Sequence, residues 1–154
     1  MKQALRQAEK AREEGEVPIG AVVVCGNKVI GRGHNRRTKL QLATAHAEIE
    51  AIDKACKKQG SWRIPECELF VTLEPCPMCM GAALNARIGK IWFGAYEQKG
   101  RSLTEQLASA NLLNHTLPVT GGVLEEECRN ILTSFFVQMR ERTRKETQNE
   151  SAND

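Results

Sequence analysis

Four side chains in this 154-residue sequence have the types and spacing of a metal centre. His46 and Glu48 stand two apart in "TAHAEIEAI", and Cys76 and Cys79 stand three apart in "EPCPMC". Two thiols and an imidazole are a donor set that suits zinc. Residues three apart on a helix are neighbours, so both sulfurs reach one point, whereas residues two apart share no helix face. His46 and Glu48 therefore serve one site only if it lies beyond a helix N-terminus, where backbone N–H groups and the dipole favour negative charge. Two such N-termini meeting at one ion would lower the thiol pKa values. Three protein ligands leave zinc one open position for water, which marks a catalytic rather than a closed structural site. Glu48, beside the ion without coordinating it, would accept the water's proton and pass it on.

The setting of Glu48 supports that role. At about 100° per residue, Ala45, Ile49, Ile52, Ala55 and Cys56 fall on one helical arc, with Glu50, Asp53, Lys54 and Lys57 opposite. Glu48 lands inside the apolar arc of a helix expected over 45–58, with Thr44 as its N-cap. A capping-box glutamate needs Ser or Thr three residues earlier, and position 45 is Ala. A buried, unpaired carboxylate is costly and takes up a proton or finds a charged partner. Two rival readings fit less well. A closed zinc site needs a fourth ligand, and Cys25, Cys56, Cys67 and Cys128 form no second paired spacing. A thiol-redox C-x-x-C leaves His46 and Glu48 without a task.

The elements that must position these residues can be read from periodicity. A charged amphipathic helix covers 2–14 and lacks the character of a signal peptide. "AVVVCGNKVIGRG" reads as two strands joined at Gly26-Asn27. The polar loop "HNRRTKLQLA" leads into the Glu48 helix. A buried strand at 69–73 passes directly into a second helix, "CPMCMGAALNA", with Pro77 in its first turn. "KIWFGA" is a further strand, 98–113 carries no clear signal, and a short strand is expected near 118–120. Leu124, Cys128, Ile131, Leu132, Phe135, Phe136 and Met139 repeat at helical spacing in a long last helix. The tail "KETQNESAND" has no such periodicity and is expected to be disordered. Helices alternating with strands that begin as a hairpin imply an α/β layered domain with a mixed sheet.

Bulk properties narrow the class. The composition, 41% hydrophobic and 27% charged, suits one globular domain, and no apolar run approaches the roughly 18 residues of a membrane span. A cytoplasmic protein is expected, with its six cysteines as free thiols or metal ligands. A net charge of +3 neither demands nor excludes nucleic acid.

H-x-E followed by P-C-x-x-C is a signature of zinc nucleobase deaminases, as a general rule of that chemistry, and here it reads "HAE" at 46–48 and "PCPMC" at 75–79. The chain resembles the zinc-dependent cytidine/deoxycytidylate deaminase superfamily. Within it, "REEGEVPIGAVVV", "GHNRRT", "TAHAEIEAI", "LFVTLEPCPMCMGA", "ARIGKIWFGA", "GGVLEEEC" and "FFVQMRER" resemble the bacterial tRNA-specific adenosine deaminases over nearly the whole chain.

The resemblance implies a three-layer α/β/α cytidine-deaminase-like domain over 1–145, followed by the polar tail 146–154. It implies one zinc per subunit held by His46, Cys76 and Cys79, Glu48 as the catalytic proton shuttle, and a homodimer. The implied reaction is hydrolysis of adenosine to inosine at the first anticodon position of a tRNA. Asn35, Ala47, Glu74 and Pro75 would bind the substrate; by residue type alone, Asn35 fits a loop turn equally well. Arg36, Arg37 and Lys39, with Arg140, Arg142, Arg144 and Lys145, could meet an anticodon stem-loop. Phe135 and Phe136 suit base stacking or a core, and last-turn cations also complement a helix dipole. His34 and His115 read as exposed loop residues. A deaminase of free guanine or cytosine, and a zinc-stabilised binding module without turnover, are the alternatives. The chain departs from many relatives at Leu42-Ala43, where Asp-Pro is common, and at Tyr96-Glu97 and a shortened 98–102, positions that border RNA in the family.

Overall fold

Alanines spaced four and three apart let the first helix, α1 (Lys2–Glu13), lie flat on a sheet, with Ala4, Ala8 and Ala11 fully buried. A Cβ on Gly20 beneath it would overlap the Ala4 carbonyl and the Ala8 backbone nitrogen, so glycine sets how closely the layers approach. The same device recurs on the other face, where Gly31 and Gly33 meet the backbone of Ala51 and Ala47. This computed structural model describes residues 1–97 and 104–151.

Strands β1 (Gly20–Cys25) and β2 (Lys28–His34) form the expected hairpin. Gly26 and Asn27 sit at φ 50° and 64°, the left-handed pair that a two-residue type I′ turn demands. A single helical turn, α2 (Arg37–Leu40), interrupts what the sequence presented as a loop; it has no buried residue and hence no periodicity to read. Next come α3 (Ala47–Gln59), β3 (Cys67–Leu73), α4 (Pro77–Asn85), β4 (Lys90–Ala95), α5 (Thr104–Ser109), a 3₁₀ turn at Leu112–Asn114, β5 (Val119–Thr120) and α6 (Glu125–Ser151). The shortened 98–102 segment lies outside the described residues. α6 runs on to Ser151, so the tail from 146 begins as helix. Its Glu, Arg, Lys and Gln residues are good helix formers uninterrupted by Gly or Pro.

The sheet order is β2-β1-β3-β4-β5. β1 is antiparallel to β2 and β3, whereas β3, β4 and β5 are parallel. Ala21, Val23, Leu69, Val71, Ile91 and Phe93 share a core with Ala47, Ala51, Ala55, Met80, Ala83 and Leu84, which places α3 and α4 on one face. α1 packs on the opposite face at Gly20, and Cys128 of α6 does so at Gly94. The result is the expected three-layer α/β/α arrangement around a mixed sheet. The apolar helix α4 buries Cys79, Met80, Ala83 and Leu84 within its own chain. Among the described residues, no helix is long and apolar enough to cross a membrane.

Candidate metal and active site

Both metal-ligand motifs begin at helix caps. His46 is the N-cap of α3, with extended backbone at φ −86° and ψ 153°, and its carbonyl accepts the Glu50 N–H at 3.2 Å. Thr44, the expected cap, is exposed and lies two residues before the observed cap. The start moves because the imidazole makes no capping bond and is turned out past the helix end. Cys76 is likewise the N-cap of α4 at φ −71° and ψ 166°, and Pro77 follows at the first helical position. Two helix N-termini therefore converge, and Glu48 and Cys79 occupy the first turn of each.

The geometry tests whether zinc fits. His46 Nδ1 is 3.7 Å from Cys76 Sγ and 3.6 Å from Cys79 Sγ, and all three donor atoms lie within 4.8 Å of one another. Tetrahedral zinc with Zn–S near 2.3 Å and Zn–N near 2.05 Å requires N···S of about 3.6 Å, so the donors fit the metal. Among the described residues, these are the one group of three such side chains close enough to share an ion. Cys25, Cys56, Cys67 and Cys128 supply no fourth ligand.

Electrostatics match the geometry. The Cys76 thiol is pulled down to about 4 by the facing Cys79 thiol, and further by His46 and the Cys79 N–H. Cys79 is pushed up by the neighbouring Cys76 sulfur, by burial and by Glu48. His46 is raised, chiefly by its bond to Cys76. Glu48, 4% exposed, is raised by burial. A carboxyl held back from ionisation beside a thiolate and an imidazole can both take and return a proton.

Glu48 and His46 line a cavity of about 100 Å³ together with Val17, Ile19, Asn35, Arg37 and Ala47. Asn35 is buried, donating to the Val17 carbonyl at 3.2 Å and accepting the Arg37 N–H at 3.3 Å. Its side chain thus makes the loop turn while facing the cavity. Glu74 and Pro75 are buried where β3 ends; Glu74 Oε2 accepts the Glu97 N–H at 3.0 Å, and the Pro75 carbonyl accepts from Thr104 Oγ1 at 3.3 Å.

Several residues sit elsewhere than expected. Arg36 donates to Glu50 Oε1 at 2.8 Å, so its guanidinium is tied to α3. His34 is no exposed loop residue: it ends β2 between Glu14 and Glu50, at 3.4 and 4.0 Å. His115 Nε2 lies 2.7 Å from the Ile88 carbonyl. Phe135 is buried and packs edge-on against Phe136, which is 38% exposed, so of the two Phe136 is the more open to solvent. Phe136 borders a second hollow of about 310 Å³ with Tyr96, Glu97, Arg129 and Leu132. Arg140, Arg142 and Arg144 are exposed in the C-terminal half of α6, about two to three turns before its end at Ser151. Sequence reasoning missed Glu50. Its Oε2 accepts the His34 N–H at 3.1 Å, and its Oε1 receives Arg36 and Lys54, which fastens the Asn35 loop to the helix bearing Glu48.

A layered mixed sheet with a His-Cys-Cys donor set and a buried glutamate at two helix N-termini defines a deaminase-type metal site. The family model described as MafB19-like deaminase matches residues 1–140, and the chain belongs to that family. It is 47% identical over 144 residues to a tRNA-specific adenosine deaminase of Bacillus subtilis, covering 92% of this chain and 89% of the relative. A solved structure from work on A-to-I editing by tRNA:A34 deaminases superposes with a TM-score of 0.78 at 41% identity, covering 86% of this chain and 97% of that one. A guanine deaminase of Bacillus subtilis gives a TM-score of 0.59 at 39% identity, over 62% of this chain and 61% of that one.

Proposed function

We propose that this protein is a zinc-dependent aminohydrolase that converts adenosine to inosine at the first anticodon position of a tRNA. The observation that carries the chemistry is the convergence of His46, Cys76 and Cys79 next to a cavity lined by His46 and the buried Glu48. The choice of adenosine in tRNA rests on the near full-length likeness to tRNA-specific adenosine deaminases.

His46, Cys76 and Cys79 would hold one zinc ion per chain, and the metal, when bound, would supply the Lewis acidity that makes water nucleophilic near neutral pH. Glu48 takes a proton from the attacking water and delivers it to N1 of the adenine as the water oxygen bonds to C6; it then takes the remaining hydroxyl proton and passes it to the amine, so the C6–N bond breaks, ammonia leaves and the C6 carbonyl of inosine forms. Ala47, Glu74 and Pro75 bound the purine, and Asn35 offers its remaining amide capacity to the base edge. A base inside RNA must be unstacked to enter. Arg37 at the cavity mouth, with Phe136, Arg140, Arg142 and Arg144, receives the surrounding anticodon loop; Arg36 contributes through its ion pair with Glu50. Residues 1–145 act as one deaminase domain, as a homodimer in the cytoplasm.

The test compares inosine formation in an anticodon stem-loop with ammonia release from free guanine, cytosine and adenosine. Inosine in the stem-loop is expected, with free bases turned over poorly. Rapid turnover of free guanine with the stem-loop untouched would assign the protein to the free-base deaminases.

A further inference from the structure

The end of the sheet away from His46 and Cys76 carries thiols that deamination does not use. Cys25 is the last residue of β1, Cys67 is the first of β3, and the two are directly opposed in antiparallel register. Opposed side chains project from one face with Cβ atoms about 4.5–5.5 Å apart, and disulfides need roughly 3.5–4.5 Å, so a backbone shift of about 1 Å at these strand ends closes the bond.

The two sulfurs differ in access. Cys25 is half-buried and accepts a bond from Gln59 Nε2 at 3.4 Å, whereas Cys67 is 1% exposed. Both border a hollow of about 260 Å³, with Gln59, Ser61 and Arg63, that opens to solvent. The Cys67 thiol is pushed up to about 12 by burial and by the facing Cys25 thiol. Cys56 lies on α3 near this end, but its thiol is directed to the Trp62 carbonyl at 3.6 Å.

We propose that Cys25 and Cys67 form a cross-strand dithiol that small hydroperoxides convert to a reversible disulfide. The Cys25 thiolate attacks one peroxide oxygen, the O–O bond breaks, and a Cys25 sulfenic acid and hydroxide result; the hydroxide takes up the thiol proton and becomes water. Cys67 sulfur then attacks Cys25 sulfur, the S–S bond forms as the S–O bond breaks, and the Cys67 proton leaves with hydroxide as a second water. Two thiols and one hydrogen peroxide give one disulfide and two waters, a two-electron exchange. β3 carries the chain about 20 Å from Cys67 to Leu73 at the metal end, so the cross-link leaves deamination unchanged. It encloses the segment bearing α3 and so resists unfolding.

The experiment exposes the zinc-loaded protein to hydrogen peroxide and maps its thiols. The expected result is a mass loss of about 2 Da from removal of two hydrogens, one linked peptide pair joining Cys25 to Cys67, full reversal by dithiothreitol, and a raised urea midpoint. C25S abolishes the link and C56S keeps it. Stepwise oxygen addition without a link, or a link through Cys76 or Cys79 while Cys25 stays alkylatable, overturns the proposal. Mapping of the unsubstituted protein decides the matter even if a variant folds poorly.

Discussion

Replacing Glu48 by glutamine keeps the volume and hydrogen-bonding shape of a side chain that is 4% exposed, and removes only its capacity to ionise. General acid–base catalysis contributes about 10²–10⁴-fold per positioned group, and Glu48 is assigned both the proton taken from water and those returned to the purine, so kcat should fall by about 10⁴-fold or more. Stability should move the other way in the metal-free protein. Burial raises the Glu48 pKa, so folding favours its protonated form at acid pH, and that contribution is lost as pH rises through the folded-state value. At neutral pH the variant's neutral amide avoids the cost of the buried charge, and its urea midpoint should equal or exceed that of the parent. The assay pairs inosine formation in a stem-loop with metal content and urea unfolding. Turnover within tenfold of the parent, with zinc and fold intact, would refute the assigned role.

Gly33→Ala would press a Cβ into the Ala47 carbonyl and the Glu50 side chain, shifting the start of α3 that carries His46 and Glu48. The expected cost is about 1–3 kcal/mol in urea unfolding, together with a fall in kcat. Glu50→Gln should release the Asn35 loop and raise KM more than it lowers kcat. Burial alone would raise the Glu50 pKa, but Lys54, the His34 N–H and Arg36 hold it below 4.5. Its stabilisation is therefore present above that pH and lost as pH falls through the folded value, so the variant should lose less stability on acidification. Phe135→Ala, at a buried position, should cost about 3–5 kcal/mol. Phe136→Ala should leave the unfolding midpoint nearly unchanged and weaken stem-loop binding.

Much of the site was legible because its residue types leave little freedom. His, Glu and two Cys at two helix starts specify both the donors and the helix ends that gather them, and Gly26-Asn27 specifies the hairpin. What escaped was set by tertiary contact. The α3 cap moved from Thr44 to His46 because the imidazole is drawn past the helix end toward two sulfurs, which no local propensity encodes. Ala47 and Ala51 are buried against Gly33 and Gly31 of a neighbouring strand, so the buried arc of α3 is centred nearer Glu48 than its larger apolar residues suggested. Phe135 and Phe136 are adjacent and chemically identical; only packing of α6 on the sheet decides which is covered. Glu50 looked like an ordinary surface charge because its partners, His34 and Arg36, come from a different element.

The most direct test of the central claim, an incompletely coordinated metal beside Glu48, is X-ray absorption at the zinc edge of the fully loaded protein. Two sulfur neighbours and the scattering pattern of a single imidazole are predicted, with the remaining donor coming from solvent. A third sulfur, or a second imidazole, would contradict the account, because the metal would then have no position left for water.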